Sequence, residues 1–225
     1  LTTLSFIAAQ TSTARLLSSV LVLPYRPPVF TAKIVATIDV LSKGRLILGV
    51  GVGWMKEEFE ALGLPPFEER GEVTNEYLRI FKELWTNDDP SFNGKYCSFS
   101  GINFLPKPVQ KPHPPLWVGG ESMAAVRRAA QLCDGWYPIG SNPQFRMDTP
   151  ELLNEKLQRL RTEMNKCDRE PGAVNLIYRT HDYDLSSGHN SESDRNLFTG
   201  SADQIASDIR RYAEIGVRRS ASIFL

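Results

Sequence analysis

The chain has 225 residues, 26 basic and 26 acidic side chains, and 41% hydrophobic residues. This neutral balance gives no electrostatic reason to expect nucleic acid or an anionic membrane as a partner, and every apolar run is far shorter than a membrane-spanning helix. The first residues lack the basic start and long apolar core of a signal peptide, so a single soluble, cytoplasmic domain with a sizeable core is expected over residues 1–225.

The opening LTTLSFIAAQTSTAR places Leu4, Ile7 and Ala8 at helical spacing, and LLSSVLVLP follows as a short apolar strand closed by a proline. The chain begins inside a helical pattern with neither an initiator methionine nor a leading strand, so it reads as amino-terminally incomplete. Between Pro27 and Lys43, Phe30, Ile34, Ile38 and Leu41 recur every three or four residues, with prolines suited to the first turn and Gly44 to the C-cap. A strand, RLILGVGVG, comes next, then an acidic helical segment. EVTNEYLRIFKELW carries Val73, Tyr77, Ile80, Phe81 and Leu84 on one face.

SFNGKYCSFSGINF, with Asn93-Gly94 between aromatic alternations, predicts an inserted hairpin. LPKPVQKPHPP predicts an extended connector. LWVGG, GWYPIG, AVNLIYRTHDY and RRSASIFL are the later strands. ESMAAVRRAAQL, PELLNEKLQRLRTEMNK and SADQIASDIRRYAEIG are the helices among them. The polar THDYDLSSGHNSESDRN reads as a mobile loop or lid. Six apolar strands alternating with helices predict a parallel sheet covered by helices, either doubly wound or a (β/α) barrel.

In both architectures ligands gather at the carboxyl ends of strands. Gly49, Gly51 and Gly53 occupy alternate positions and clear one face of their strand. That spacing is not the G-x-G-x-x-G of a dinucleotide fold. It fits either tight packing or the close approach of a ring or phosphate. GGES is a strand-to-helix turn in which Ser122 can cap and free N–H groups can hold an anion, or it is an ordinary turn. Arg70 could add a phosphate contact, with a solvated arginine as the alternative.

Glu57, Glu58 and Glu60 suit the dipole of a first helical turn, and Arg127 and Arg128 read as surface charges. Trp54 and Trp136 are equally pocket walls or core. Cys97, Cys133 and Cys167 form no C-x-x-C pair and read as reduced thiols. His113, His181 and His189 lack metal-ligand spacing, and no metal is expected.

In order along the chain, SSVLVLPYRPPVFTAKIVATIDVLSKGRLILGVGVGWMKEEFEALG, ERG, SFNGKYCSFSGINFLPKPVQKPHPPLWVGGES and DGW resemble the bacterial-luciferase-like superfamily. The nearest likeness is to the coenzyme F420-dependent oxidoreductases, strong from Leu1 to Gly140 and weaker through FTGSADQIASDIRRYAEIGV. The resemblance implies a (β/α)8 TIM barrel, here without its first two strands, commonly dimeric, with the cofactor ring at the carboxyl ends of the strands. It assigns Ser19 and Val20 to a non-prolyl cis peptide behind the ring, and Val22, Gly51, Val52 and Gly53 to the cofactor's surroundings. Gly120, Glu121 and Ser122, beside Ala124 and Ala125, match the phosphate site. Arg70 matches the phosphate-binding arginine of flavin-using members. Two features depart from the family. The histidine that usually closes the second missing strand is not in this chain, and Trp54 stands where one sugar-phosphate dehydrogenase branch has an acidic proton acceptor.

The leading expectation is an oxidoreductase transferring a hydride between coenzyme F420 and a small organic substrate. The alternatives are an FMN-dependent luciferase-like monooxygenase and a non-catalytic flavin-binding protein or inactive fragment. No acid or base is singled out. Substrate choice is expected in the Asp182–Asn196 and Ser91–Phe104 loops.

Overall fold

The structure, a computed structural model, describes residues 1–140, 142–180, 184–185 and 195–222. It comprises two compact units, Leu1–Trp117 and Val118–Leu225. The central part of the polar loop and the last three residues of the expected final strand lie outside the described residues.

The first unit contains α1 (Thr2–Gln10), β1 (Leu16–Leu17), β2 (Leu21–Val22), α2 (Pro28–Leu41), β3 (Leu46–Gly51), α3 (Lys56–Ala61), α4 (Arg70–Thr86), and the hairpin β4 (Phe92–Asn93) and β5 (Ser98–Phe99). β1 and β2 both pair parallel with β3, and the Leu48 N–H donates to the Pro115 carbonyl at 2.9 Å, at the entrance to β6 (Leu116–Gly119). All six residues of β3 are buried, which explains why it reads as a continuous apolar run rather than an alternating one. α2 opens on Pro28, where a missing N–H costs nothing, and the chain leaves it through Lys43 and Gly44, both at positive φ.

The expected face of α4 is buried, and the Trp85 Nε1 at its end donates to the Ala32 carbonyl of α2 at 3.1 Å. Arg45 holds α1 against the start of β3: its guanidinium donates to the carbonyls of Ala8, Thr11, Ala14 and Ser42 and to the Thr11 hydroxyl.

The second unit carries α5 (Met123–Leu132), β7 (Gly135–Tyr137), α6 (Pro150–Asn165), β8 (Asn175–Thr180), β9 (Asp184–Leu185), β10 (Thr199–Gly200), α7 (Ala202–Glu214) and β11 (Val217–Ser222). β8 pairs parallel with β7 on one side and β11 on the other. α7 starts with a full capping box between Ser201 and Gln204. At the other end of α5, Arg169 Nη1 donates to the carbonyls of Ala129, Ala130 and Cys133, the first of which also accepts the Cys133 N–H. Asp208 and Arg195 form a buried ion pair at 2.6 Å, and the Phe198 N–H also donates to the Asp208 carboxylate.

Four expectations are corrected. The first apolar run forms two short strands, because one extra residue in its middle interrupts the pairing with β3. The proline connector bends rather than extends, with cis Leu105-Pro106 and Lys111-Pro112. Within it, Gln110 turns inward, donating from its main chain and side chain to Asp39 and from its side chain to the Leu46 carbonyl. Arg128 is buried, since the wide contact face of α5 includes its position; only Arg127 of that pair is exposed. The polar loop is not wholly irregular: β9 and β10 near its ends pair parallel.

Candidate functional site

Leu16 and Leu17 oppose Leu46 and Ile47, whereas Leu21 and Val22 oppose Val50 and Gly51. One more residue therefore lies between the pairings on the outer segment than on β3, and the excess forms a bulge. The Ser19-Val20 peptide within it is cis, as the resemblance implied. The Ser18 hydroxyl donates to the Gly49 carbonyl at 2.9 Å and ties the bulge to the strand.

The glycines receive this bulge. A Cβ on Gly49 would sit 2.0 Å from the Ser18 carbonyl oxygen, and one on Gly51 would sit 2.8 Å from Val20 Cγ2. At Gly53, where φ is +87°, a Cβ would meet Phe59 Cε2 at 2.7 Å and Val22 Cγ1 at 3.1 Å. The alternate spacing thus matches a neighbouring backbone and its side chains, close to the tight-packing reading. Beyond that contact the strand ends remain uncovered: Val20 is 39% exposed, Trp54 79% exposed, and Val22, Val52 and Gly53 are half-buried. No charged side chain stands in Ser18–Val22 or Gly49–Gly53.

An aromatic series continues from Gly53. Phe59 packs edge-on to Tyr25 and to Phe67, with ring centroids 5.3 and 5.2 Å apart. The Arg70 guanidinium lies 3.8 Å above the Phe67 ring, and its Nη1 donates to the Phe67 carbonyl at 2.9 Å. Arg70 is therefore held in place, with its Nε buried and without a hydrogen bond, rather than waving in solvent. Glu57, Glu58 and Glu60 are exposed in α3, and Glu58 accepts from the Tyr25 hydroxyl. Burial, and then the Glu58 carboxylate, push the Tyr25 phenol up to about 12.

In the second unit β6 runs through Gly119 and Gly120 into α5. Gly120 has φ +105°, and a Cβ there would come within 3.2 Å of the Ala125 Cβ. Ser122 is the N-cap, its hydroxyl accepting from the Ala125 N–H at 3.3 Å. The first-turn N–H groups of Met123 and Ala124 cannot be used within the helix and have no partner among the described residues. Glu121 is buried. Its carboxylate accepts from the Ile139 N–H at 2.9 Å and the Asn142 amide at 2.6 Å. It braces the segment after β7. Trp136 is core: it is fully buried, and its Nε1 donates to the Gly120 carbonyl at 2.9 Å. Trp54 is surface.

His113 is a buried loop residue whose Nδ1 lies 2.9 Å from the Pro114 carbonyl. Among the described residues no cluster of three or more His, Cys, Asp and Glu side chains could hold a metal ion, and no helix is long and apolar enough to cross a membrane. Sequence reasoning missed Glu76, whose buried carboxylate accepts the N–H groups of Lys95, Tyr96 and Cys97 at 2.8 to 2.9 Å and anchors the hairpin tip. A carboxylate next to Tyr77 on the apolar side of α4 was the available signal. Phe59, Phe67 and Asn142 carried none.

Parallel strands with helices between them define an α/β protein of the (β/α) barrel kind. The family model described as luciferase-like monooxygenase matches residues 1–183, and the chain belongs to that family. It is 38% identical over 136 residues to an FMNH(2)-dependent dimethylsulfone monooxygenase of Pseudomonas putida, an alignment covering 60% of this chain and 37% of that protein. The fold superimposes on monooxygenase RslO1 from Streptomyces bottropensis with a TM-score of 0.82 at 20% identity, covering 99% of this chain and 74% of that one. It also superimposes on the coenzyme F420-dependent tetrahydromethanopterin reductase of Methanopyrus kandleri, with a TM-score of 0.79 at 16% identity, covering 96% and 79%. These likenesses establish the (β/α)8 luciferase-like fold read from the sequence. The chain spans 37% of the first curated relative and 56% of the next.

Proposed function

We propose that the protein is a reduced-flavin oxidoreductase that uses FMNH2 to oxygenate a small organic molecule. The observation that carries this reading is the apolar, uncharged bed at the ends of β2 and β3, where the bulge seated on the glycines leaves Val20 uncovered. Such a surface suits the face of a flat tricyclic ring, whose transfer from water is favourable wherever it covers apolar area. The sequence reading put coenzyme F420 first. The relative at 38% identity is named for FMNH(2), whereas the F420-dependent reductase is similar at only 16%, and this reverses the order. Hydride transfer with F420 is the second reading, favoured by the extent of that structural likeness.

When bound, the reduced flavin supplies the electrons for the reaction, and the protein supplies position and surroundings. Ser19, Val20 and Val22, with Gly51, Val52 and Gly53, form the bed for the ring. Arg70, fixed on Phe67, supplies a cation in the first unit. In the second unit Gly120, Ser122 and Ala125 shape a helix N-terminus that suits a phosphate, with Glu121 bracing the turn. We assign no side chain as catalytic acid or base. A small-molecule substrate, a homodimer and a cytoplasmic location belong to the same proposal, resting on the family resemblance.

The test is anaerobic titration with FMNH2 and, separately, with reduced F420, for the wild type, Arg70→Ala and Ser122→Ala. Preference for FMNH2, weakened by either change, is the expected result. Preference for F420 overturns the cofactor assignment, and saturable binding of neither overturns the function.

A further inference from the structure

The first unit contains an open groove of about 360 Å³ whose lining includes none of the residues of the proposed flavin bed. Three segments build it: the turn after β2 with Tyr25 and Arg26, the turn after α3 with Gly63 to Pro65, and the hairpin tip with Tyr96, all over Tyr77 of α4. Its volume falls in the range of small-molecule sites.

The walls are fixed in advance. The Tyr25 hydroxyl donates to Glu58, and the single Tyr96 O–H is shared between Glu69 at 2.5 Å and Glu72 at 3.1 Å. The hairpin tip is in turn held by the three N–H groups that reach Glu76. These rings need little ordering when a ligand arrives, which reduces the entropic cost of binding.

Tyr77 differs from its two neighbours. It is only 7% exposed and lines the groove, yet its hydroxyl makes no hydrogen bond among the described residues. The hydroxyl is not among the buried unpartnered polar atoms, so it is reachable from the groove and free to donate to an acceptor that enters it. Burial, and then Cys97 and Glu76, raise its pKa, so it stays a neutral O–H donor. Among the lining residues Arg26 alone carries a charge. It is exposed and its side chain makes neither a hydrogen bond nor an ion pair among the described residues, and the nearby carboxylates of Glu58, Glu69 and Glu72 do not line the groove.

We propose that this groove is a second binding site, separate from the proposed flavin bed, for a small planar aromatic carboxylate. The ring lies against the tyrosine and proline walls, Tyr77 donates to one acceptor, and Arg26 pairs with the carboxylate at the rim.

The experiment is titration of the full chain with 2-naphthoate and with neutral 2-naphthalenemethanol, by calorimetry and ligand-observed NMR. Saturable 1:1 binding of the carboxylate is expected. Tyr77→Phe, which keeps the ring, weakens it about 3- to 10-fold, and Arg26→Gln weakens it about 2- to 5-fold while erasing the preference over the neutral probe. Gly63→Asn adds a side chain where nothing lies within 4 Å of the built Cβ, at a φ of +62° that asparagine tolerates, and obstructs the groove without touching its floor. FMNH2 binding is unchanged in Tyr77→Phe, so failure here is distinct from failure of the flavin reading. No saturation up to roughly millimolar probe, or binding that all three variants leave intact, overturns the proposal.

Discussion

Replacing Gly51 by alanine isolates the contact between bulge and strand. The backbone at Gly51 does not have positive φ, so alanine meets no conformational objection there, and the whole effect comes from one added methyl. That methyl would lie 2.8 Å from Val20 Cγ2, against the ~3.5–4.0 Å at which carbon atoms attract. Val20 cannot easily turn away, because a β-branched side chain is stiff about χ1. Either β2 shifts from β3 by a large part of an ångström or Val20 leaves its rotamer, at a cost of about 1–3 kcal/mol.

Val20→Ala alone removes two methyl groups from a side chain already 39% exposed and costs about 0.5–1 kcal/mol. The double variant removes the clash, so it should be more stable than Gly51→Ala, with a coupling of about 1–2 kcal/mol. Urea denaturation followed by tryptophan fluorescence measures all four corners of the cycle. Gly49→Ala serves as the contrast: its methyl meets a backbone oxygen at 2.0 Å, so trimming Val20 should not rescue it. Simple additivity between Gly51→Ala and Val20→Ala would refute the claim that the glycine spacing exists to seat the bulge.

Glu76→Gln weakens three hydrogen bonds to a buried carboxylate and should cost about 2–3 kcal/mol, with faster amide exchange at Lys95, Tyr96 and Cys97; unchanged exchange there would contradict the anchoring role. Asp208→Ala leaves Arg195 as an unpaired buried cation and should cost about 3–5 kcal/mol, read as a lower urea midpoint; a surface-like loss below about 0.5 kcal/mol would refute it. Tyr25 has a phenol raised from 10.0 to about 12 in the fold, so its contribution is fully present below pH 10 and lost as the pH rises to 12. Tyr25→Phe should flatten the fall in stability over that window relative to wild type, and an identical pH profile in the two proteins would contradict the assignment.

The fold was legible where periodicity and burial agree. α4 announced its buried face through Val73, Tyr77, Ile80, Phe81 and Leu84, and β3 announced itself as a run without alternation because both its faces are covered. Less readable were features set by contacts distant in sequence. Gly49, Gly51 and Gly53 showed that something approaches the strand, but only the pairing register reveals that it is Ser18, Val20 and Val22. Arg128 looked like a surface charge because helical spacing does not say how wide a contact face α5 has. Arg70 carries a stacking partner three residues away that motif reasoning overlooks. The role of Glu121 depends on Asn142, across a strand and a turn, which no local pattern signals.

The most direct test of the central claim is hydrogen–deuterium exchange of the chain with and without saturating FMNH2 under anaerobic conditions. The account predicts slowed exchange in peptides covering residues 18–24 and 49–55, and at the start of α5 around Ser122 to Ala125. Full occupancy by FMNH2 with no protection at the bulge and the glycine edge would contradict it.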